Sequence, residues 1–375
     1  MRITIAQGAF FPVPPIRGGA VEKAWFALGR EFARKGHQVT HISRHIEGQP
    51  PREVQAGVEH HRVPGFDPPR NLLKLKLYDL IYSWRVKRLL KKLPSADILV
   101  TNTFWLPILM RSKKWGRIYV HVQRFPKKQM RFYRHAARVQ TVSRHVQKAI
   151  LAQDPKLAGR VCTIPNPLNQ RSEEFTMPLE QREKIILFVG RVHPEKGLDI
   201  LLDAFAKMPS EILEAWKLYV IGPAETKYGG GGDLYLAALK RRSHEFADRV
   251  VWIGPLFNAS ELDHFYRRAA LFVYPSLADR GEACPLAPVE AMAQGCPILV
   301  SDLECFSDVV SDGINGYRFN HLTPQPSQGL QEKLTALLYQ PEKLRMAGLE
   351  AYKKAQDYSL DRIAELYLQD FASLL

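Results

Sequence analysis

Acidic side chains all but vanish from one long stretch of this 375-residue chain. Between Arg70 and Ile150 stand 20 lysines and arginines against two acids, Asp79 and Asp97, whereas the rest carries 33 basic and 36 acidic side chains. The formal net charge of +15 therefore resides in a single block. Solvated lysines scattered over helix faces do not explain such concentration; an anionic partner does. Cysteine is scarce as well. Cys162, Cys284, Cys296 and Cys305 show neither paired nor metal-like spacing, which excludes a disulfide scaffold and suits a reducing cytoplasm. Long apolar runs are missing: a spanning helix needs about 18 such residues, and the nearest approach, Ile98–Met110, is broken by Thr101, Asn102, Thr103 and Pro107. MRITIAQGAF opens as a strand with no long apolar core, so no signal peptide is expected.

What the chain does have is an alternation of short apolar runs with longer amphipathic stretches, the pattern of a parallel sheet covered by helices. In the first half it predicts strands over Arg2–Ala6, Gln38–Ser43, Ile98–Thr101, Ile118–His121, Arg138–Val142 and Val161–Ile164. Helices fit Val21–Lys35, Leu77–Leu93 and Ser143–Ala152, with Ser143 as N-cap. In the second half strands fit Lys184–Val189, Lys217–Ile221, Val250–Ile253, Leu271–Tyr274 and Pro297–Val300, and helices fit Gly197–Lys207, Asp233–Phe246, Ser260–Ala269 and Ala287–Gln294. The polar segment 166–183, with Pro167 and Pro178, has linker composition. Asp361–Leu375 reads as an amphipathic helix. The expected architecture is α/β, two doubly wound domains facing across a cleft, with ligands outside the carboxyl ends of the strands.

Four groups of residues carry chemistry in that frame. Arg191 and Lys196 flank the loop after the strand ILFVG, where two cations suit a diphosphate whose charge grows as it leaves. Glu282 and Glu290 lie eight positions apart, the second on a short helix closed by Gly295; Glu290 can accept bonds from both hydroxyls of a ribose, Glu282 from a sugar. That helix's first amides suit phosphate oxygens. Gly18 and Gly19, between the first strand and first helix, let backbone approach a ligand closely, without the full G-x-G-x-x-G spacing. His121 ends the strand RIYVHV at the expected mouth of the cleft. Singly, each has an ordinary structural reading: loop charges, a helix-cap acid, a turn, a satisfied histidine.

In combination and order these residues resemble the retaining glycosyltransferases of the GT-B fold, family 4, the bacterial glycosyl transferases group 1. RGGAVEK, LGREFARKGHQV, His121, TVSRHV, FVGRVHPEKG, VIGP, WIGPL, DRGEACPLAPVEAMAQGCPILVSD and DGINGYRF follow one another as that family's landmarks do. The resemblance implies two Rossmann-like domains. An acceptor-side domain would span 1–168, with a final helix, 358–375, packing back on it; a nucleotide-sugar domain would span 169–357. It implies Arg191 and Lys196 on the diphosphate, Glu290 on the ribose, Glu282 on the donor sugar, and backbone at Leu286 and Ala287 on the distal phosphate. Gly254, Leu256 and Phe257 would lie near the base, Gly18 and Gly19 over the phosphates and acceptor, and His121 toward the sugar. Two departures stand out: Pro285 occupies a position where the family's glycine offers an amide, and Asn166-Pro167 replaces Asn-Gly at the domain junction.

The chain has no D-x-D motif, so leaving-group charge is expected to fall to Arg191, Lys196 and helix amides, with no metal and no cofactor. The donor would be a nucleotide diphosphate sugar, a UDP-sugar first among them. The product would be a surface glycan (lipopolysaccharide, capsule or exopolysaccharide) built by hexosyl transfer to a saccharide or lipid-linked acceptor. Within the basic block, Leu72, Leu73, Leu75, Leu77, Leu80 and Ile81 interleave with Lys74, Lys76, Arg85, Lys87 and Arg88, with Tyr78, Tyr82 and Trp84 among them. That pattern suits the anionic inner face of the cell membrane and peripheral attachment there. Nucleic acid is disfavoured as the anion, since no recognised module is present. The rival readings are a nucleotide-sugar epimerase of the same architecture and a non-catalytic protein that binds an anionic ligand.

Overall fold

The computed structural model describes residues 1–16, 19–69, 71–168 and 181–375. Gly18 and most of the linker segment 166–183 lie outside these described residues. The chain forms two compact units, Met1–Gln170 with Ser359–Leu375, and Arg171–Tyr358.

The first unit is built on an eight-stranded sheet: β1 (Arg2–Ala6), β2 (Gln38–His45), β3 (Arg52–Gln55), β4 (Val58–Pro64), β5 (Ile98–Thr101), β6 (Arg117–Val122), β7 (Arg138–Thr141) and β8 (Val161–Thr163). Their order is β3-β4-β2-β1-β5-β6-β7-β8, parallel throughout except for the antiparallel β3–β4 pair. The chain winds outward from β1 in both directions, so a crevice opens beside the carboxyl end of β1. Strands such as β5, ILVT, are buried along their whole length, as strands covered on both faces must be.

Sequence pattern missed β3 and β4 because REVQ and VEHHRVP read as polar. β4 nevertheless buries His60, His61 and Arg62. Ser143 does cap its helix, Arg144–Gln153, accepting from the Val146 N–H at 3.3 Å.

The helix Leu360–Ala372 belongs to this unit's core. Ile363, Ala364, Tyr367 and Phe371 recur on one helical face and pack with Trp25, Phe32 and Tyr119. An aromatic side chain buries roughly 150–250 Å², worth about 4–6 kcal/mol at most by area. Two of them match the total stability of an ordinary domain, about 5–15 kcal/mol. Asp370 fixes the register: it accepts from the Tyr119 hydroxyl at 2.8 Å and pairs with Arg138 at 2.6 Å.

The second unit carries six parallel strands, β9 (Glu183–Val189), β10 (Lys217–Ile221), β11 (Val250–Gly254), β12 (Ala269–Tyr274), β13 (Ile298–Ser301) and β14 (Tyr317–Phe319). Their order is β11-β10-β9-β12-β13-β14, which reverses between β9 and β12. β14 was not expected: three residues are too few for a pattern. Nor were the helices Pro326–Leu338 and Pro341–Ala355, although each begins with proline at its first position, where the missing N–H costs nothing. The expected helix Asp233–Phe246 stops at Arg242 and continues as a 3₁₀ segment.

Candidate functional site

The reversal point of the second sheet gathers the residues singled out in sequence. Arg191 and Lys196 follow β9, and Glu282 follows β12. Gly197 makes their approach possible: it stands at φ +68°, and a Cβ there would come within 2.1 Å of the Pro275 carbonyl. The turn before it buries Lys196 against Glu282 as an ion pair, each side chain 7% exposed. Glu282 Oε1 also accepts from the Tyr274 hydroxyl at 2.9 Å and the Ser276 hydroxyl at 2.9 Å. All three donors reach the same oxygen, so the carboxylate is oriented while Oε2 makes none of these bonds. Burial, reinforced by the charge of Glu282, holds the Tyr274 phenol well above its ordinary range, so it remains a donor.

Arg191 is the more accessible cation. Its guanidinium donates to the Gly229 carbonyl at 2.5 Å and to Glu195 Oε1 at 2.5 Å. The helix Leu286–Ala293 starts four residues after Glu282, and Pro285, its N-cap residue, supplies no side-chain bond to the first amides, those of Leu286 and Ala287 among them. Gly295 closes the far end at φ +65°. On that helix Glu290 accepts from the buried Tyr266 hydroxyl at 3.1 Å.

Gly254, at φ +82°, helps line a cavity of about 280 Å³ together with Val192, Gly222, Glu225, Asp233 and Pro255. Gly222 is obligatory here, since a Cβ would stand 1.9 Å from the Gly190 carbonyl. Leu256 and Phe257 follow immediately. Among the described residues, no three His, Cys, Asp or Glu side chains form a group that could hold a metal.

In the first unit His121, on β6, is buried. Its Nδ1 lies 2.5 Å from Gln140 Oε1 and its Nε2 3.0 Å from Gln123 Oε1. Gln140 spends its amide nitrogen on the Thr141 and Ile164 carbonyls, both at 2.7 Å, so only its oxygen can face the ring. Burial lowers the pKa of His121 against the hydrogen bonds to Gln140 and Gln123, so both ring nitrogens are already engaged within the first unit. Trp25 meets the ring edge-on at 5.4 Å.

Gly19, at φ +96°, precedes the helix Ala20–Arg34, and a Cβ on it would stand 2.1 Å from Glu22 Oε2. Glu22 thus folds back over the start of its own helix. Burial pushes its carboxyl up, against the opposing charge of Arg124.

Sequence reasoning missed these supporting side chains: Tyr274 and Ser276 behind Glu282, Tyr266 behind Glu290, Gln140 behind His121, and Glu22. The first two were findable, because YPS at a strand's carboxyl end faces the site.

The family described as "Glycosyl transferases group 1" matches residues 169–354, and the "Glycosyl transferase 4-like domain" matches residues 19–167. The chain belongs to the group 1 glycosyl transferases. This glycosyltransferase is similar to spore coat protein SA of Bacillus subtilis, 26% identical over 97% of each chain. It is also similar to the lipopolysaccharide 1,2-N-acetylglucosaminetransferase of Salmonella typhimurium, 28% identical over 49% of this chain and 46% of that one. Among solved structures it superposes on the Anabaena protein HepE in complex with UDP, with a TM-score of 0.72, 18% identity and full coverage of both chains. Two parallel-sheet α/β domains of this kind constitute the GT-B fold. Among the described residues no helix is long and apolar enough to cross a membrane.

Proposed function

We propose that this glycosyltransferase moves a hexose from a nucleotide diphosphate sugar, a UDP-sugar first among donors, to a saccharide or lipid-linked acceptor of a bacterial surface glycan. One observation carries the reading: Arg191, Lys196 and Glu282 converge at the reversal point of the second sheet, just ahead of the helix Leu286–Ala293. Two cations and a helix's positive end suit a diphosphate; an oriented carboxylate suits sugar hydroxyls. Glu290, supported by Tyr266, takes the ribose. Gly254, Leu256 and Phe257 border the base. His121 and the backbone at Gly18 and Gly19 serve the sugar and acceptor. UDP bound to HepE supports the donor class, and the Salmonella relative supports a lipopolysaccharide-type product.

Transfer proceeds with retention of configuration and without a divalent ion. Arg191, Lys196 and the helix amides stabilise the departing diphosphate, whose oxygen takes the acceptor's proton on the same face. The basic block attaches the protein to the anionic inner face of the cell membrane. In support, the helix Leu72–Leu90 turns Asp79, Tyr82, Ser83 and Val86 inward while leaving Leu73 79% and Trp84 53% exposed, with Arg88 stacked on Trp84 at 4.5 Å.

The test is a thermal-shift screen with UDP, GDP, ADP and their sugars, followed by nucleotide release with and without membrane extract. Stabilisation by one nucleotide and extract-dependent release are expected. A changed sugar formed without acceptor would make the protein an epimerase, and no response to any nucleotide would refute the donor site.

A further inference from the structure

Among the exposed aromatic side chains of the second unit, Tyr228 and Phe257 meet one another. Tyr228 is 44% exposed and Phe257 72%. Their ring centroids lie 5.4 Å apart with planes inclined at 60°, so each covers only part of the other. Each follows closely in the chain on a residue that lines the cavity of about 280 Å³: Tyr228 stands three residues beyond Glu225 and Phe257 two beyond Pro255. That volume is at the lower limit for small-molecule sites, about 300 Å³, and admits a heterocycle more readily than a whole nucleotide sugar.

The segment bearing Tyr228 is built to hold it there. The Gly230 N–H donates to the Glu225 carbonyl at 3.0 Å, Gly231 to Val192 at 2.8 Å, and Gly232 to Ala224 at 2.8 Å. A Cβ on Gly230 would stand 2.2 Å from the Ala224 carbonyl, so the run of glycines lets the chain fold this tightly on itself. The neighbouring Gly229 carbonyl accepts from Arg191. One guanidinium therefore fixes the segment and also faces the place assigned above to the diphosphate. Lys227 lies over the Tyr228 ring at 4.8 Å and adds a cation to it.

We propose that Tyr228 is a donor-binding residue that forms, with Phe257, the stacking platform for the nucleobase, in a position set by the bond from Arg191 to Gly229. This rests on the nucleotide-sugar reading and adds a residue and a base-binding mode to it. Stacking is indifferent to base identity, because every base has a π-face. The platform thus supplies affinity, and groups lining the cavity, Glu225 among them, choose the base.

Calorimetric titration of the full chain with UDP, GDP, ADP and inorganic pyrophosphate tests this. For Tyr228→Ala the nucleotide that binds wild type should weaken about 5- to 100-fold, with pyrophosphate affinity unchanged. Tyr228→Phe should restore binding, because the ring and not the hydroxyl is used. In an Arg191→Ala background the effect of Tyr228→Ala should shrink, since the segment's anchor is already gone. In turnover, the donor KM should rise with kcat little altered. Unchanged nucleotide affinity in Tyr228→Ala, or an equal loss for pyrophosphate, overturns the platform while leaving the donor site standing. Failure of folded wild type to bind any of the three nucleotides overturns both.

Discussion

Lys196 and Glu282, 86 residues apart in the chain, form a buried ion pair whose acidic member is held at one oxygen by two further hydroxyls. Removing one partner of such a pair strands a charge in the protein interior, at a cost of about 3–5 kcal/mol, whereas replacing both can be nearly neutral. Lys196→Met and Glu282→Gln should therefore each lower the melting temperature of the second unit, and the double replacement should recover most of the loss. None of the three should transfer sugar. Equal melting temperatures across the set, measured by calorimetry, would show that the pair is not coupled.

Arg191 offers a cleaner separation of stability from chemistry, because its side chain is 40% exposed. Arg191→Ala should fold with little change in melting temperature and lose about 10²- to 10³-fold in kcat, the usual cost of one preorganised group facing transition-state charge. Wild-type transfer should persist in excess EDTA. Near-normal turnover of the variant, or loss of wild-type activity on chelation, would sink the assignment.

The first unit hides a pair of histidines whose effect should appear on acidification. His41 on β2 and His60 on β4 are fully buried, with stacked rings 5.5 Å apart, and Phe26 lies against His60. Burial chiefly, with help from Arg62, pushes His41 well below its ordinary value and His60 down to about 4. A histidine with a depressed native pKa costs nothing above pH 6.5. Below that the unfolded chain binds a proton that the folded one refuses, so stability falls, by roughly 3 kcal/mol for His60 by pH 4. Asp79 works against this. Burial raises its carboxyl to about 6, so it destabilises the fold as pH rises through the same window. His41, His60 and His121 against Asp79 and Glu22 leave a net loss toward acid. His60→Gln should flatten that slope and Asp79→Asn should steepen it, read from urea midpoints between pH 4 and 7.

Binding to vesicles of anionic lipid should be tight at low salt and fall steeply as salt rises, each lysine or arginine at the surface contributing about 1 kcal/mol. Leu73→Ser with Trp84→Ser should weaken it by removing the apolar contacts, and Lys74→Glu with Arg88→Glu should abolish it, all without change in melting temperature. Flotation assays that show no binding by the wild type would remove the membrane from the account.

These expectations were unequally legible in the sequence. Strands such as Ile98–Thr101 and Lys217–Ile221 could be read because a doubly covered parallel strand is a continuous apolar run. VEHHRVP could not, since nothing local announces that His60 will be buried without a polar partner for its ring nitrogens. Arg191, Lys196, Glu282 and Glu290 were visible as residue types near a strand's end. Their pairing was not, because the contact between Lys196 and Glu282 depends on a crossover between β9 and β12 that no short-range pattern encodes. The helix Leu72–Leu90, expected over Leu77–Leu93, was legible as basic and apolar, but its apolar residues point two ways, and only packing reveals which remain outside.

The helix Leu360–Ala372 has a consequence for biosynthesis. Trp25, Phe32 and Tyr119 wait for Tyr367 and Phe371, which emerge from the ribosome only after the whole of Arg171–Tyr358 has been made. The amino-terminal unit is thus the last to be completed, reversing the usual order in which nascent domains mature. A nascent chain arrested near Tyr358 would carry one finished unit and one with its aromatic core uncovered, a state prone to aggregate.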